Sequence, residues 1–405
     1  MGTIIDDART HLARLDAEPL REVDSLILSA AAYFDLSPMA GVRARRPGVR
    51  IGDLARAENY DRYFAHVLKP QDGHRLLTAM AANPRFRDVR VFSYTTETSI
   101  DEQKQFCAMS FALGPHLTYV AFRGTDASLV GWKEDFNMSF QYPVPAQRRA
   151  AAYLDHVAAH RRGQIIVGGH SKGGNLAEYA AAHARAQIRT RLGAVYNHDG
   201  PGFPDEALGE FAPVRHIFRK TVPQSALVGL LMSSPRRARV VRATTNGILA
   251  HYPYTWRVED GDFVDCPLNK DARGFDRRLT RWLATHPREE AELLVEALYG
   301  VASSSSTETV PEMVAAFAAD LPPAQEHEWI IPTYTFKNGE TLPELRLHYT
   351  TLGDLYYTIN GNGKALPHGE TLHGNGWQCT SQTSGMVCIN SQGHGFKISR
   401  RQRLF

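Results

Sequence analysis

Cysteine is scarce, at four residues in a chain of 405. That rules out a disulfide framework as the main support of a chain this long. Cys107 and Cys266 are far apart and read as free thiols, whereas Cys379 and Cys388 are close enough to meet across a hairpin. Two readings of that pair stay open, a bridge in an oxidising compartment or two reduced thiols in a reducing one. Long apolar runs are missing as well. No stretch approaches the roughly 18 apolar residues of a membrane span. The most apolar early segment, residues 25–34, follows acidic and polar residues rather than a basic leader. It reads as a buried helix, so neither a signal peptide nor a transmembrane segment is expected, and a cytoplasmic location is. One dominant charge sign is absent too, with a formal net charge of +3. No nucleic-acid partner is implied, and the short, interrupted basic runs at 43–50 and 236–242 read as solvated surface, with contacts to an anionic surface as a second reading. There is no H-E-x-x-H and no compact Cys/His cluster, so no metal and no cofactor is expected.

What is present is ordinary globular material, 43% hydrophobic and 22% charged, enough for a large core. Residues 1–20 place apolar positions at helical spacing, and 23–33 continue as a more buried helix. From residue 89 the runs "VRVFSYTTETS", "FCAMSFAL" and "LTYVAFRG" read as successive strands. The segment 143–163 is a helix with Pro145 near its start and Gly163 at its end. Then come the strand "QIIVGG", a helix from 172 to about 185, and the strand "LGAVYNHDGPGF". Strands with wholly apolar cores alternating with helices predict a mainly parallel sheet covered on both faces. Further on, "SALVGLLM" reads as an apolar helix, "RARVVRAT" as a strand and "YTWRVEDGDFV" as strand-like, with helices at 276–298 and 310–319. "DLPPAQEHE" has the composition of a linker, and the rest to Phe405 is rich in Gly, Thr and Asn with short β runs.

The most informative stretch is "VGGHSKGGNLAEYA", residues 167–180. It contains G-x-S-x-G between an apolar strand and a helix, the context in which that motif holds a nucleophile on a strained elbow. Residues two before and two after such a serine must lack bulk, and Gly169 and Gly173 do. Ser171 is therefore the candidate nucleophile. A serine needs a base, and the base an orienting acid. In strand–turn–helix hydrolases these follow in the order Ser, acid, His. Asp199 ends the next strand, and His251 lies in a loop after the last apolar strand, so they are the candidate acid and base, with Asp262 and Asp260 as reserves. His170, adjacent to the serine on the elbow, is expected to point away and makes a poor base. The oxyanion hole is assigned to the amides of Lys172, at the helix N-terminus, and Thr125, after Gly124. Arg123 ends a buried strand and is expected to pair with Asp135.

Six motifs in order, "FRGTD", "GWKEDF", "GHSKGGNLA", "DGPGF", "VPQSALVGLL" and "HYPYTWRVEDGDF", resemble an uncharacterised lipase-like family of bacterial α/β-hydrolases. That family is itself similar to the class 3 lipases. The resemblance covers about residues 23–319 and implies an α/β-hydrolase sheet with Ser171 as nucleophile and Thr125 at the oxyanion position. Class 3 lipases take their acid from a later strand, where "VPQSALVG" has no aspartate. That departure moves the acid to Asp199. The tail lies outside the resemblance. Part of it looks faintly like the opening strands of homoserine acetyltransferase-type hydrolases, and its end resembles small β modules of some actinobacterial proteins.

The expectation is an α/β-hydrolase fold over residues 1–321, a linker at 322–330 and a small β-rich C-terminal appendage at 331–405. The expected activity is that of a serine hydrolase cleaving small-molecule or lipid carboxylic esters. Two rivals remain: a hydrolase fold without catalysis that serves as a binding module, and an acyltransferase using the same triad. The sequence leaves the oligomeric state open.

Overall fold

A strand buried on both faces needs a covering layer on each, and Leu117–Phe122 is such a strand. Successive side chains leave a strand on opposite faces. Tyr119 and Ala121 accordingly enter one hydrophobic cluster, while Val120 and Phe122 enter another. The computed structural model describes residues 2–45, 47–99, 104–125, 138 and 141–270, together with six strands between 325 and 398.

The first part of the chain forms β1 (Gly2–Thr3), α1 (Ile4–Thr10), α2 (Glu22–Ala31), β2 (Val49–Arg50), α3 (Tyr60–Tyr63) and α4 (Pro70–Ala82). Three strands follow, β3 (Arg90–Ser99), β4 (Lys104–Ala112) and β5 (Leu117–Phe122). Helices and strands then alternate through α5 (Pro145–His160), β6 (Gln164–His170), α6 (Lys172–His183), α7 (Ala186–Arg189) and β7 (Leu192–His198). The strands β8 (Phe218–Pro223), β9 (Arg239–Val241), β10 (Arg257–Glu259) and β11 (Asp262–Phe263) come last.

β2 to β9 form one eight-stranded sheet in chain order. It is antiparallel from β2 to β5 and parallel from β5 to β9. The parallel strands advance in a single direction, so right-handed crossovers put their connecting helices on one face. α5 and α6 lie there, with Ala150, Leu154, Leu176 and Ala180 against Val120, Phe122 and Val167. The opposite face would be bare without the N-terminal helices. α1, α2 and α4 cover it with Ile4, Leu26, Ile27 and Leu77, packed in one cluster with Tyr119 and Ile166. The architecture is an α/β-hydrolase-like fold, a mostly parallel central sheet flanked by helices.

By contacts the chain divides into two units, Met1–Ala315 and Ala316–Phe405. In the second, β12 (Gln325–Thr335) pairs antiparallel with β13 (Thr341–Thr351). β14 (Thr371–Gly374), β15 (Trp377–Gln382), β16 (Gly385–Asn390) and β17 (Gly395–Ile398) form a four-stranded antiparallel sheet. Cys379 and Cys388 are register partners across the β15–β16 pair.

Several readings of the sequence need correction. "SALVGLLM" is not a helix: only Val228–Leu230 forms a single 3-10 turn. Its backbone is drawn instead to neighbouring chain, with Gly202 N–H donating to Leu231 O and Gly229 N–H to Asp199. The helical spacing of residues 1–20 yields only the short α1. β12 starts inside the stretch read as a linker. The helices expected at 276–298 and 310–319, and Asp135 as partner of Arg123, lie outside the described residues; Arg123 itself is buried, at 3% exposure.

The N-terminal layer is fastened by charge. Arg85, with a side chain 0% exposed, binds Asp24 of α2 at 2.5 Å and the carbonyls of Ala13, Glu18 and Pro19. Arg21 binds Asp24 and Asp7, both at 2.7 Å. Burial pushes the Asp24 carboxyl up, but the hydrogen bonds from Arg85 and Arg21 outweigh it and hold the group below its usual value. Removing one partner of such a pair leaves a buried charge uncompensated, at a cost of about 3–5 kcal/mol. Arg85→Ala is therefore expected to lose about that much stability in chemical denaturation. An unchanged unfolding midpoint would show that this layer is held by apolar packing alone.

Candidate active site

Parallel strands end in step. The register aligns Phe122 with Gly169, His170 with His198 and His198 with Thr221. The ladder continues one residue beyond, because Ser171 N–H donates to His198 O at 2.9 Å and Asp199 N–H to Thr221 O at 2.8 Å. Ser171 and Asp199 are thereby fixed at the carboxyl edge of adjacent strands, where open α/β sheets hold their ligands.

Both residues turn the chain sharply there. Ser171 has φ 59° and ψ −137°, and Asp199 has φ 54°, values that cost a non-glycine residue of the order of 1–3 kcal/mol. At the serine the strain is enforced by close packing. A methyl group at Gly169 would run into the Gly173 backbone, and one at Gly173 into the Phe122 carbonyl. α6 begins at Lys172, so its first amides point from beneath the turn. Lys172 is buried at 1% exposure and sends its ammonium to the Gln105 carbonyl at 3.2 Å, away from the elbow. Gly124 packs so closely that a Cβ there would stand 2.9 Å from Ser171 Cβ.

His251 reaches the same edge from the loop after β9. Gln224 at the end of β8 holds the start of that loop, accepting from Ala243 N–H at 2.5 Å and donating to the Thr245 carbonyl at 3.0 Å. Trp256, fully buried, donates its indole N–H to Ala250 O at 2.9 Å and closes the turn Gly247–His251. His251 Nδ1 then lies 2.7 Å from Asp199 Oδ2. A carboxylate only accepts, so Nδ1 carries a proton, and in the neutral ring this leaves the lone pair on Nε2, the form a base requires. Asp199 is fully buried. Its second oxygen accepts from Gly229 N–H at 3.1 Å. Burial raises its carboxyl pKa, opposed by the hydrogen bond from His251. The reserve candidate Asp262 is engaged elsewhere, bound to Arg239 at 2.9 Å.

His170 does not simply point away. It is buried, its Nε2 is 2.7 Å from the His251 carbonyl, and its Nδ1 is 3.0 Å from the hydroxyl of Tyr33. A carbonyl needs a donor, so Nε2 bears the hydrogen and Nδ1 accepts from the tyrosine. Burial and the neighbouring His251 push His170 well below the usual histidine range and keep it neutral. The two imidazole rings lie 4.6 Å apart, so the residue preceding Ser171 supports the turn bearing His251. Among the described residues Ser171 Oγ has no hydrogen-bond partner, so the serine–imidazole bond is unmade here; such bonds often tighten only when substrate binds. The sequence offered no signal for Tyr33, Gln224 or Gly229. His170 was visible in the motif, but its role depends on chain 81 residues away.

Among the described residues, no group of three or more His, Cys, Asp or Glu is placed to hold a metal ion. No helix among them is long and apolar enough to cross a membrane.

A family model described as Mbeg1-like matches residues 80–300, more than half of the chain, and the chain belongs to that family. A second, a family of unknown function (DUF6636), matches residues 353–405. No curated protein matches significantly. Among solved structures the chain is similar to a fungal lipase in complex with an inhibitor. The two are 15% identical, with 58% of this chain and 94% of that one covered and a TM-score of 0.38. It is also similar to the Rhizomucor miehei lipase in its propeptide complex, at 15% identity, 58% and 80% coverage and a TM-score of 0.37. The M37 lipase is 13% identical, with 65% and 80% covered and a TM-score of 0.34.

Gly229 offers a local test of the site geometry. A side chain there would press on Asp199 Oδ1, the oxygen its own amide binds. Gly229→Ala should displace the carboxylate from His251 while leaving the sheet intact. The NMR signal of the His251 Nδ1 proton should lose its carboxylate-bonded character, with melting little changed. An unchanged signal would show that Asp199 need not hold its present place.

Proposed function

We propose that this member of the Mbeg1-like family is a serine hydrolase acting on carboxylic esters. The observation that carries the reading is the His251–Asp199 hydrogen bond of 2.7 Å, formed at the sheet edge where Ser171 sits on its strained turn. Ser171 Oγ attacks the ester carbonyl while His251 Nε2 takes its proton. Asp199 fixes the imidazole tautomer and stabilises the imidazolium that forms. The amides of Lys172 and Thr125 receive the negative oxygen of the tetrahedral intermediate. Collapse expels the alcohol, protonated by His251, and leaves an acyl group on Ser171. Water, deprotonated by the same imidazole, then releases the acid and regenerates the serine.

Leu249, two residues before His251, is an exposed apolar side chain at 52%. It suits an ester with an apolar chain, the lipid-like end of the substrate class. The appendage contributes none of these groups, and we assign the chemistry to residues 1–321.

A fluorophosphonate probe tests the reading. The protein should label, and Ser171→Ala should abolish labelling while remaining folded; a folded wild-type protein that never labels would instead be a binding module. Asp199→Asn should lower ester turnover by about 10³–10⁴-fold with substrate binding nearly unchanged, because the imidazole loses its orienting partner. Near-normal turnover in that variant, with collapse in Asp262→Asn, would relocate the acid. A chain ending at Leu321 should hydrolyse a short soluble ester at close to the full-length rate. A folded truncation without that activity would give the tail a part in the site.

A further inference from the structure

Behind the triad acid lies a pair of ionisable groups that the mechanism above does not use. The parallel register sets Asn197 of β7 beside Lys220 of β8 and His198 beside Thr221. Alternation sends these two rungs to opposite faces. His198 and Thr221 meet the N-terminal layer, through Ser25 and Glu22 respectively. Asn197 meets α6, donating from Nδ2 to Glu178 Oε2 at 3.0 Å, and its Oδ1 accepts from Gly200 N–H at 2.8 Å. Lys220 shares that face, and Asp199 follows one residue beyond the end of β7.

Lys220 is 3% exposed and Glu178 0%. Among the described residues, the Lys220 ammonium and Glu178 Oε1 make no hydrogen bond. A lysine buried without hydrogen bonds is costly unless opposite charge surrounds it. Here two buried carboxylates, Glu178 and Asp199, act on it electrostatically. A structural salt bridge would have made contact. This arrangement places a charge behind the acid without tying it down.

We propose that Lys220, balanced by Glu178, is a positioning residue of the triad: its charge keeps the buried Asp199 ionised and thereby sets the readiness of His251 to accept the serine proton. This rests on the serine-hydrolase reading. Burial raises both carboxyls, Glu178 to about 7, and the Lys220 charge opposes the rise in each. The titratable groups facing His251 among the described residues are Asp199 and His170, and His198 stands beyond His170. Those facing Asp199 are His251 and Lys220.

The signs follow from charge alone. Removing the cation in Lys220→Met favours protonated Asp199 and His251, so the acid limb of the kcat/KM profile should move to higher pH, by about one unit. Above about pH 7, where Glu178 is ionised, removing that anion in Glu178→Gln leaves the cation less compensated and should move the limb to lower pH. The double variant, with no unpaired buried charge between the two positions, should return close to wild type. Loss of packing would not produce opposite shifts from neighbouring substitutions. The profile is measured with a short soluble ester, and the His251 ring is titrated in parallel by NMR, which needs no turnover. If Lys220→Met alone does not fold, Glu178→Gln and the double variant still decide the sign. Limbs and ring titrations that stay put, or shift together in one direction, would overturn the role of Lys220. A ring titration that shifts as stated in a protein whose Ser171 never reacts would sustain Lys220 and remove the hydrolase reading.

Discussion

The constraint on which the rest depends is the left-handed backbone at Ser171. A side chain there is tolerated only because Gly169, Gly173 and the end of β5 pack without any bulk between them. The turn lets a strand end and a helix begin at one residue, and it lifts the serine out of the sheet edge while helix amides gather beneath it. Everything around it acts to hold that edge still. The ladder bonds from Ser171 and Asp199 extend the parallel register past the last paired residues, and Gln224 and Trp256 fix the loop that carries His251.

The N-terminal layer has a second consequence besides covering the sheet. Strands that advance in one direction leave a face without crossover helices, and α2 fills it with its serines against Tyr119 and His198. Just past its end, Tyr33 reaches His170. The layer clamped by Arg85, Asp24 and Arg21 is thus continuous with the support of the elbow. Fold stability and the placement of the candidate base share the same N-terminal layer, so damage to α2 should be felt at both.

The strand–turn–helix at Ser171 was legible because its signal is local: two glycines at fixed offsets, an apolar run before and an alanine-rich helix after. The placement of Asp199 and His251 followed from chain order, and the structure sets them side by side. What could not be read has a common physical cause. "SALVGLLM" has helical composition, yet tertiary bonds to Gly202 and Asp199 claim its backbone, and propensity gives way to them. Tyr33, Gln224 and Lys220 carry no sequence signature, since each matters through a partner distant in the chain. Lys220 would pass for a strand residue with a solvated tip, and only the register beside Asn197 reveals that it is buried behind an acid.

The central claim is that Ser171 becomes covalently acylated. The most direct measurement is a rapid-mixing experiment with an activated short-chain ester, followed by peptide mass spectrometry of the quenched protein. The account predicts a burst of released alcohol approaching one equivalent per chain, with the acyl mass on the peptide containing Ser171. Turnover of the ester with no acyl adduct at Ser171, or with the adduct on another residue, would contradict it.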